Sequence, residues 1–575
     1  MFVSRLYSLT RVCSSSAFGA NKLSHSSRVL IQFTRGMAKI IECVPNFSEG
    51  RDKGVIDAIS QSIASTPGVS LLDVDPGAST NRTVYTFVGS PDDVVQGALN
   101  GARVAADLID MRVHQGEHPR LGALDVCPFI PVSNATMDDC VQCAKSFGER
   151  AAKEIGIPVY LYGYASEQDY RKSVPQIRVG EYGGLSKRIV TPQWAPNYGP
   201  AEFNPKWGAT IAGARKFLIA YNINILGTKE QAHKIALNLR EGGRGPDKPG
   251  RLKNVQGMGW WLVEENIAQI SLNLLDYEET PMHVAFEEAT KDAKESKLGV
   301  CGSQVVGLVP LDAILRAADY YIKKEDLFIV EQEQKIRLVV ERLGLSSITP
   351  FDPRTRIIEY MIGESAGPLV SMSLKDFILN VGARTSAPGG GSAAAAVAAI
   401  GAALGTMVGF MSYGNKKYES LDPLMRTLIP PLRQTMLDLI DMVDKDTDAF
   451  NDFLIAKKLP NNSPEEKEIR NQATEEGLKK AVNVPMSVIV TANKLWPHLV
   501  ELSKVSNITT KSDLQVGARS IETGVWGAYY NVKINLPDIK DVDFQNKTLK
   551  EADEAVLFAQ DKCKEVLGIL DKRTN

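Results

Sequence analysis

Two clusters in the chain combine residue types able to do chemistry. The stretch Val113–Asp125, VHQGEHPRLGALD, sets His114, Glu117 and His118 in the order H-x-x-E-H. On a helix that order puts two imidazoles on one face, one turn apart, to bind zinc while the glutamate activates the metal-bound water. The second cluster, MVDKDTDAF, brings Asp444, Asp446 and Asp448 within five residues, where carboxylates can hold a cation or move protons.

Local backbone chemistry weakens the metal reading of both. Gly116 between the histidines disfavours a helix by up to about 1 kcal/mol relative to alanine. Pro119 pushes His118 away from helical dihedrals, and Gly122 and Pro128 follow closely. A stiff loop is therefore expected, holding His118 beside Arg112 and Arg120 before the apolar strand CPFIPV. An imidazole there, with a pKa near neutrality, suits a general base acting on an attacking amine or water; a hydrogen-bonded structural histidine is the alternative. In the acidic run, helical spacing puts Asp444 and Asp448 on one face and Asp446 on another, so the three do not form one metal site.

The elements that must position these residues fall into two textures. From Ile40 to about Glu359, short β-rich runs (IIECV, VSLLDVD, NRTVYTFVG, ARKFLIAYNINIL, AQISLNLLDY) alternate with amphipathic helices. One helix opens with Ser90 as N-cap, Pro91 at the first position and Asp93 placed for a capping box. Strands separated by helices of this length predict layered α/β units. The proline-rich TPQWAPNYGPAEFNPKWG between them must be irregular, a boundary or a binding loop. Past Glu359, after the linker-like ESAGPLVSM, helical periodicity takes over and predicts a separate all-α domain. Within it, Ser392–Tyr413 runs 22 residues without a charge. That is long enough to cross a membrane, but eight alanines and three glycines make it poorly apolar. Gly401, Gly405 and Gly409 bare one face for close helix packing, so a central buried helix is expected and no integral membrane segment.

Bulk properties agree with a multidomain globular protein: 575 residues, 44% hydrophobic, 23% charged and a net charge of −2, too long for a single core. That charge balance gives no broad nucleic-acid footprint. Seven cysteines without regular spacing do not make a disulfide framework, and Cys140 and Cys143 read as helix-packing residues. Residues 1–36 contain five Lys or Arg, eight Ser and no acidic residue. This is the composition of a mitochondrial transit peptide; an extension without an address is the other reading, and Met37 would then start a cytosolic form.

Several blocks resemble a known family. ECVPNFSEGR, LLDVDPGASTNRTVYTFVG, HQGEHPRLGALDVCPFIPV, WGATIAGARKFLIAYNIN and GTKEQAHKIALNLRE are similar to the formiminotransferase half of the formimidoyltransferase-cyclodeaminase family. VGARTSAPGGGSAAA, MVDKDTDAF and LQVGARSIETGVWGAYYNVKINL are similar to its cyclodeaminase half, and the likeness runs from Met37 to the C-terminus. It implies two α/β formiminotransferase subdomains (37–217 and 218–362), a linker (363–368) and an all-α cyclodeaminase domain (369–575), and leaves the transit-peptide-like extension (1–36) outside it. The implied activity is transfer of a formimino group from N-formimino-L-glutamate to tetrahydrofolate, followed by closure to 5,10-methenyltetrahydrofolate with loss of ammonia. Also implied are polyglutamylated tetrahydrofolate as co-substrate without a metal, a homo-octamer, and a mitochondrial or cytosolic location, some relatives associating with Golgi or centrosome.

Carried over by position, the transferase base is His118 and the cyclodeaminase aspartate is Asp446. Asp75 is a candidate to orient or charge-stabilise His118, although D-P-G is equally a turn signal. Arg82 and Arg120 are candidate clamps for the donor carboxylates, or surface ion pairs. The folate-binding segment corresponds to Gly199, Pro200, Ala201, Glu202, Phe203, Asn204, Pro205, Lys206, Trp207 and Gly208, with Phe203 or Trp207 available to pack on the pterin or simply under the loop. The glycines of APGGGS start a helix whose free amides suit an anionic or carbonyl group. The basic loop holding Arg240, Arg244, Lys248, Arg251 and Lys253 is either a site for a polyglutamate tail or a solvated surface. A scaffold that has lost activity is a competing reading, opposed by the presence of both His118 and Asp446. A zinc hydrolase is another, opposed by Gly116 and Pro119.

Overall fold

The computed structural model describes residues 39–573 except 79, 117, 264 and 363–366. The N-terminal extension, Glu117 and most of the expected linker lie outside the described residues.

The first unit runs β1 (Ile40–Cys43), β2 (Asn46–Phe47), α1 (Lys53–Ala64), β3 (Val69–Gly77), β4 (Arg82–Gly89), α2 (Pro91–Leu108) and β5 (Leu124–Ser133). It continues through α3 (Met137–Glu154), β6 (Val159–Gly163), α4 (Glu181–Arg188) and β7 (Thr210–Ala214). β1 and β2 are two pieces of one strand lying between β4 and β5, β3 is the edge beyond β4, and all these pairs are antiparallel. β7 and then β6 extend the sheet in parallel from β5. α1 to α3 cover one face, burying Ile59, Leu99 and Phe147 against Phe47, Phe87 and Phe129.

The second unit repeats the plan with β8 (Ile219–Leu226), α5 (Lys229–Leu239), β9 (Val255–Leu262), β10 (Ile267–Leu274), α6 (Met282–Glu295) and β11 (Gly299–Val306), followed by α7 (Leu311–Lys324) and α8 (Gln332–Leu343). Its sheet order is β11-β8-β10-β9, all antiparallel. Both units are thus split β-α-β-β-α-β motifs, the layered α/β class expected, with mostly antiparallel sheets. In each, the face turned away from the helices is free to line a site.

The remainder is helical: α9 (Leu374–Val381), α10 (Gly390–Ser412), α11 (Asp422–Lys457), α12 (Pro464–Asn493), α13 (Trp496–Val505), α14 (Lys511–Asn535) and α15 (Val542–Lys572). α10 is long and apolar enough to cross a membrane by composition alone, yet it packs between α11 and α14 in the bundle core. A Cβ at Gly401 would come within 2.7 Å of the Gly517 carbonyl oxygen and 2.6 Å of Ile521, so the bare glycine is what lets α10 and α14 touch.

Candidate active site

The first site builds up from strand register. Asp73 pairs with Thr86, Asp75 with Val84 and Gly77 with Arg82, and paired residues share a face. That face points away from α1 and α2 and, with Asn46, Val126 and Arg178, walls a cleft of about 710 Å³. Its opposite wall is the second sheet, through Ala220, Asn254, Gln256, Asn273 and Val306. The ligand-sized space therefore lies between the two repeated units.

Behind Arg82 and Arg178 of the cleft wall, Asp125 is wholly buried and carries an ion-pair centre. Its Oδ1 accepts the Leu121 N–H at 2.7 Å, while Oδ2 accepts from Arg82 Nη1 and Arg178 Nη2, each at 2.5 Å. Burial opposes the charge, but the two guanidiniums outweigh it and hold the Asp125 carboxyl below its usual range. Arg82 also donates Nε–H to Asn46 Oδ1 at 3.1 Å, so it is neither a free clamp nor a surface pair. Arg178 escaped sequence reading, because nothing in VPQIRVGEYGG marks it.

His118 sits in a non-helical loop, as Gly116 and Pro119 predict. Its Nδ1 lies 2.7 Å from the Pro119 carbonyl oxygen, which can only accept, so Nδ1 carries the proton and Nε2 presents its lone pair. Burial first, then the positive charges of Arg82 and Arg178, push its pKa down to about 4, partly opposed by the Pro119 bond and Asp125. The ring is thus neutral at physiological pH. Asp125 is the carboxylate acting on it; Asp75 faces the cleft from β3.

His114 is turned elsewhere. Its Nε2 lies 2.8 Å from the Asn81 carbonyl oxygen, and Arg120 Nη2 donates to the His114 carbonyl at 3.0 Å while Nη1 approaches Glu181 at 3.9 Å. Arg120 therefore braces the loop. The two histidines serve different partners, and there is no His, Cys, Asp and Glu group able to hold a metal among the described residues.

The 199–208 segment is laced to the same loop. Ala209 N–H donates to the Leu121 carbonyl, Ala123 N–H to that of Trp207, and Tyr182 N–H to that of Arg120. Gly208 has φ +79° and backs directly onto Leu121, a place only glycine fits. Trp207 is 2% exposed, with its indole N–H on Thr210 at 3.0 Å, so it is core and not a pterin platform. Phe203 is half-buried against Tyr182. Gly199, Pro200, Ala201, Glu202, Pro205 and Lys206 are exposed, and Asn204 caps the turn through Lys206 and Trp207 N–H. In the basic loop, Arg251 is spent on Glu288 and Asp292 and Arg240 on the Gly243 and Gly257 carbonyls. Arg244, Lys248 and Lys253 are exposed there.

The second site lies at the N-terminus of α10. Asp446, on α11, approaches so closely that a Cβ at Gly391 would meet its carboxylate. Ser392 Oγ is 3.5 Å from Asp446 Oδ2 and 3.1 Å from Thr447 Oγ1. Burial raises the Asp446 pKa, moderated by the Ser392 backbone and hydroxyl, so an amide expected to greet a ligand already serves this aspartate. Asp444 and Asp448 lie on the other face: Asp444 accepts the N–H groups of Leu369 and Val370 at 2.8 and 3.2 Å. Asp448 is pushed up to about 6 by burial, Asp444 and Asp452.

Comparison with known proteins agrees with this division. Family models match residues 40–215 (formiminotransferase domain, N-terminal subdomain), 220–363 (formiminotransferase domain) and 373–554 (formiminotransferase-cyclodeaminase). The formimidoyltransferase-cyclodeaminase of Gallus gallus is 57% identical over 539 residues, covering 93% of this chain and 100% of that protein. The glutamate formimidoyltransferase of Streptococcus pyogenes serotype M1 is 39% identical over 291 residues, 50% of this chain and 95% of its own length. A crystal structure of formiminotetrahydrofolate cyclodeaminase from Thermotoga maritima is 30% identical, with a TM-score of 0.32, over 35% of this chain and 96% of that one. With full coverage of a relative at that identity and three domain matches in order, the chain belongs to the formimidoyltransferase-cyclodeaminase family.

Proposed function

We propose that the chain transfers the formimino group of N-formimino-L-glutamate to N5 of tetrahydrofolate at the His118 site, and closes the product to 5,10-methenyltetrahydrofolate with release of ammonia at Asp446. The observation that carries the first step is the commitment of His118 Nδ1–H to the Pro119 carbonyl, which leaves Nε2 unprotonated and fixed in orientation, a weaker base than an ordinary histidine. As N5 bonds to the amidine carbon, Nε2 takes the N5 proton. As the carbon–nitrogen bond to glutamate breaks, the imidazolium returns that proton to the departing nitrogen. In the second step N10 bonds to the same carbon of the protonated amidine (–CH=NH2+), Asp446 takes the N10 proton, and the leaving –NH2 receives it and departs as ammonia, leaving the 5,10-methenyl cation. Burial keeps the Asp446 carboxyl closer to neutrality than an exposed one.

Tetrahydrofolate is the co-substrate. A polyglutamate tail on it would suit the exposed Arg244, Lys248 and Lys253, and the proposal includes the folate segment 199–208, a homo-octamer and mitochondrial entry through residues 1–36, with a cytosolic form otherwise. Sedimentation of the purified chain and imaging of fusions with and without residues 1–36 check the last two.

The test follows methenyltetrahydrofolate absorbance. His118→Ala is expected to abolish transfer while still converting supplied 5-formimidoyltetrahydrofolate, and Asp446→Ala to do the reverse. Loss of both activities in either variant overturns the assignment of separate roles.

A further inference from the structure

The cleft wall sets two arginines on one buried anion, while the carboxylates that line the cleft, Glu42, Asp73, Asp75 and Asp276, pair with neither of them. Arg82 and Arg178 share one oxygen of Asp125, whose other oxygen is taken by the Leu121 N–H. Two guanidiniums against one carboxylate leave one positive charge in excess, and a poorly solvated cation is costly until an anion arrives.

The two arginines are not equivalent. Arg82 is spent, with Nη1 on Asp125 and Nε on Asn46. Arg178 gives only Nη2 to Asp125, its Nε–H is buried without a hydrogen-bond partner, and the residue lines the cleft. The other cations lining that space are engaged: Lys216 with Asp276 and Glu278, Lys172 with Asp169, and Arg215 with the Lys216 carbonyl. A guanidinium that lines a cavity with only one of its three nitrogens hydrogen-bonded is set for a carboxylate, which takes charge and hydrogen bonds together. Of the two substrates in the proposed transfer, the donor carries two carboxylates and must lie where its amidine carbon reaches His118, whose ring feels the charge of Arg178.

We infer that Arg178 binds one carboxylate of the formimino donor and is the specificity-determining residue for that substrate, with Asp125 and Arg82 holding its guanidinium in place. The inference rests on the transferase reading above. It assigns donor recognition to a residue 53 positions from Asp125 in the chain and outside the histidine motif.

The test measures transfer kinetics for wild type, Arg178→Gln and Arg178→Lys, using N-formiminoglutamate and its α-amide and γ-amide. Arg178→Gln is expected to raise the KM for N-formiminoglutamate about 10- to 100-fold, the range for losing hydrogen bonds to a charged group. The KM for tetrahydrofolate is expected to stay within about twofold, as is turnover of supplied 5-formimidoyltetrahydrofolate, the control for folding. Preference for the diacid over one of the two amides should collapse, and Arg178→Lys should restore part of it through charge. If Arg178 only balances Asp125, both variants keep the wild-type preference over both amides, whatever their overall rate, and the inference is wrong. Wild type failing to use N-formiminoglutamate at all would instead sink the transferase reading itself.

Discussion

The Asp446 carboxylate occupies the space in which a side chain at residue 391 would begin, so Gly391 and Asp446 are a matched pair. A methyl group there must displace the carboxylate or open the junction of α10 and α11. Gly391→Ala is therefore expected to lower conversion of supplied 5-formimidoyltetrahydrofolate by about 100-fold or more, a scale set by catalytic groups moved by about an ångström. Transfer at the distant His118 should be unaffected. Stopped-flow assays of the two half-reactions check this, and an unchanged cyclisation rate would show that Asp446 has room to spare.

The second prediction concerns protonation of His118. With its pKa pushed down to about 4 by burial and by Arg82 and Arg178, the ring should remain a free base well below the pH at which an ordinary histidine protonates. Acylation by diethyl pyrocarbonate, which needs the neutral imidazole, is expected to stay near its plateau rate at His118 down to about pH 5. Removing a cation raises the pKa of a neighbouring base, so Arg178→Gln should move the midpoint upward. Peptide mass spectrometry over a pH series reads both midpoints; a wild-type midpoint near 6.5 would contradict the electrostatic environment described.

Glu42 makes a third prediction. It is 3% exposed on β1 at the cleft, and burial first, with Glu359 adding to it and Arg215 opposing, raises its pKa to about 7. A carboxyl raised in the folded state binds more protons folded than unfolded between the two pKa values. Stability therefore falls as pH rises through that window, from about 4.5 to about 7. Glu42→Gln removes the penalty, so its melting temperature should exceed wild type at pH 8, by the equivalent of at most about 3 kcal/mol. At pH 5 the gap should nearly close. Calorimetry at the two pH values checks it, and a gap independent of pH would rule out the ionisation.

Fourth, Asp444 caps the segment leading into the helical region, accepting two backbone N–H groups. Asp444→Ala leaves both donors without that acceptor and is expected to destabilise the helical region by about 1–3 kcal/mol. Thermal unfolding followed by circular dichroism measures the loss. Asp446→Ala, which frees only the single Ser392 amide at the start of α10, serves as the comparison.

Where chemistry is local, the chain can be read. Ser90 stands in extended conformation as the N-cap of α2, although its hydroxyl donates to the Asp93 carboxylate at 2.6 Å, closing the box between side chains. Gly116 and Pro119 exclude a helix, Cys140 and Cys143 pack in the core, and helical spacing separates Asp446 from Asp444 and Asp448. What needed three dimensions was long-range pairing. Nothing local indicates that β1 would lie between β4 and β5, that Arg178 would reach Asp125, or that Trp207 would be buried while Phe203 stays partly open. Nor does its place in the histidine loop indicate that Arg120 would bond that loop's own backbone, at the His114 carbonyl. Even a strong local rule yields when packing demands, since Pro430 and Pro431 both lie inside the 36-residue α11, where a proline ordinarily ends a helix.

The cap at Asp444 also bears on how the molecule can be divided. The residues it holds, Leu369 and Val370, precede the first helix of the bundle, and Gly367 packs so closely on Asp444 that no side chain fits there. A fragment cut just ahead of Ser373 would look complete by its helices, yet would start life with an uncapped aspartate in a pit two residues from Asp446. A fragment meant to fold as the helical half is therefore expected to need a start no later than Gly367, so that the short strap from Gly367 to Met372 travels with the helices it closes.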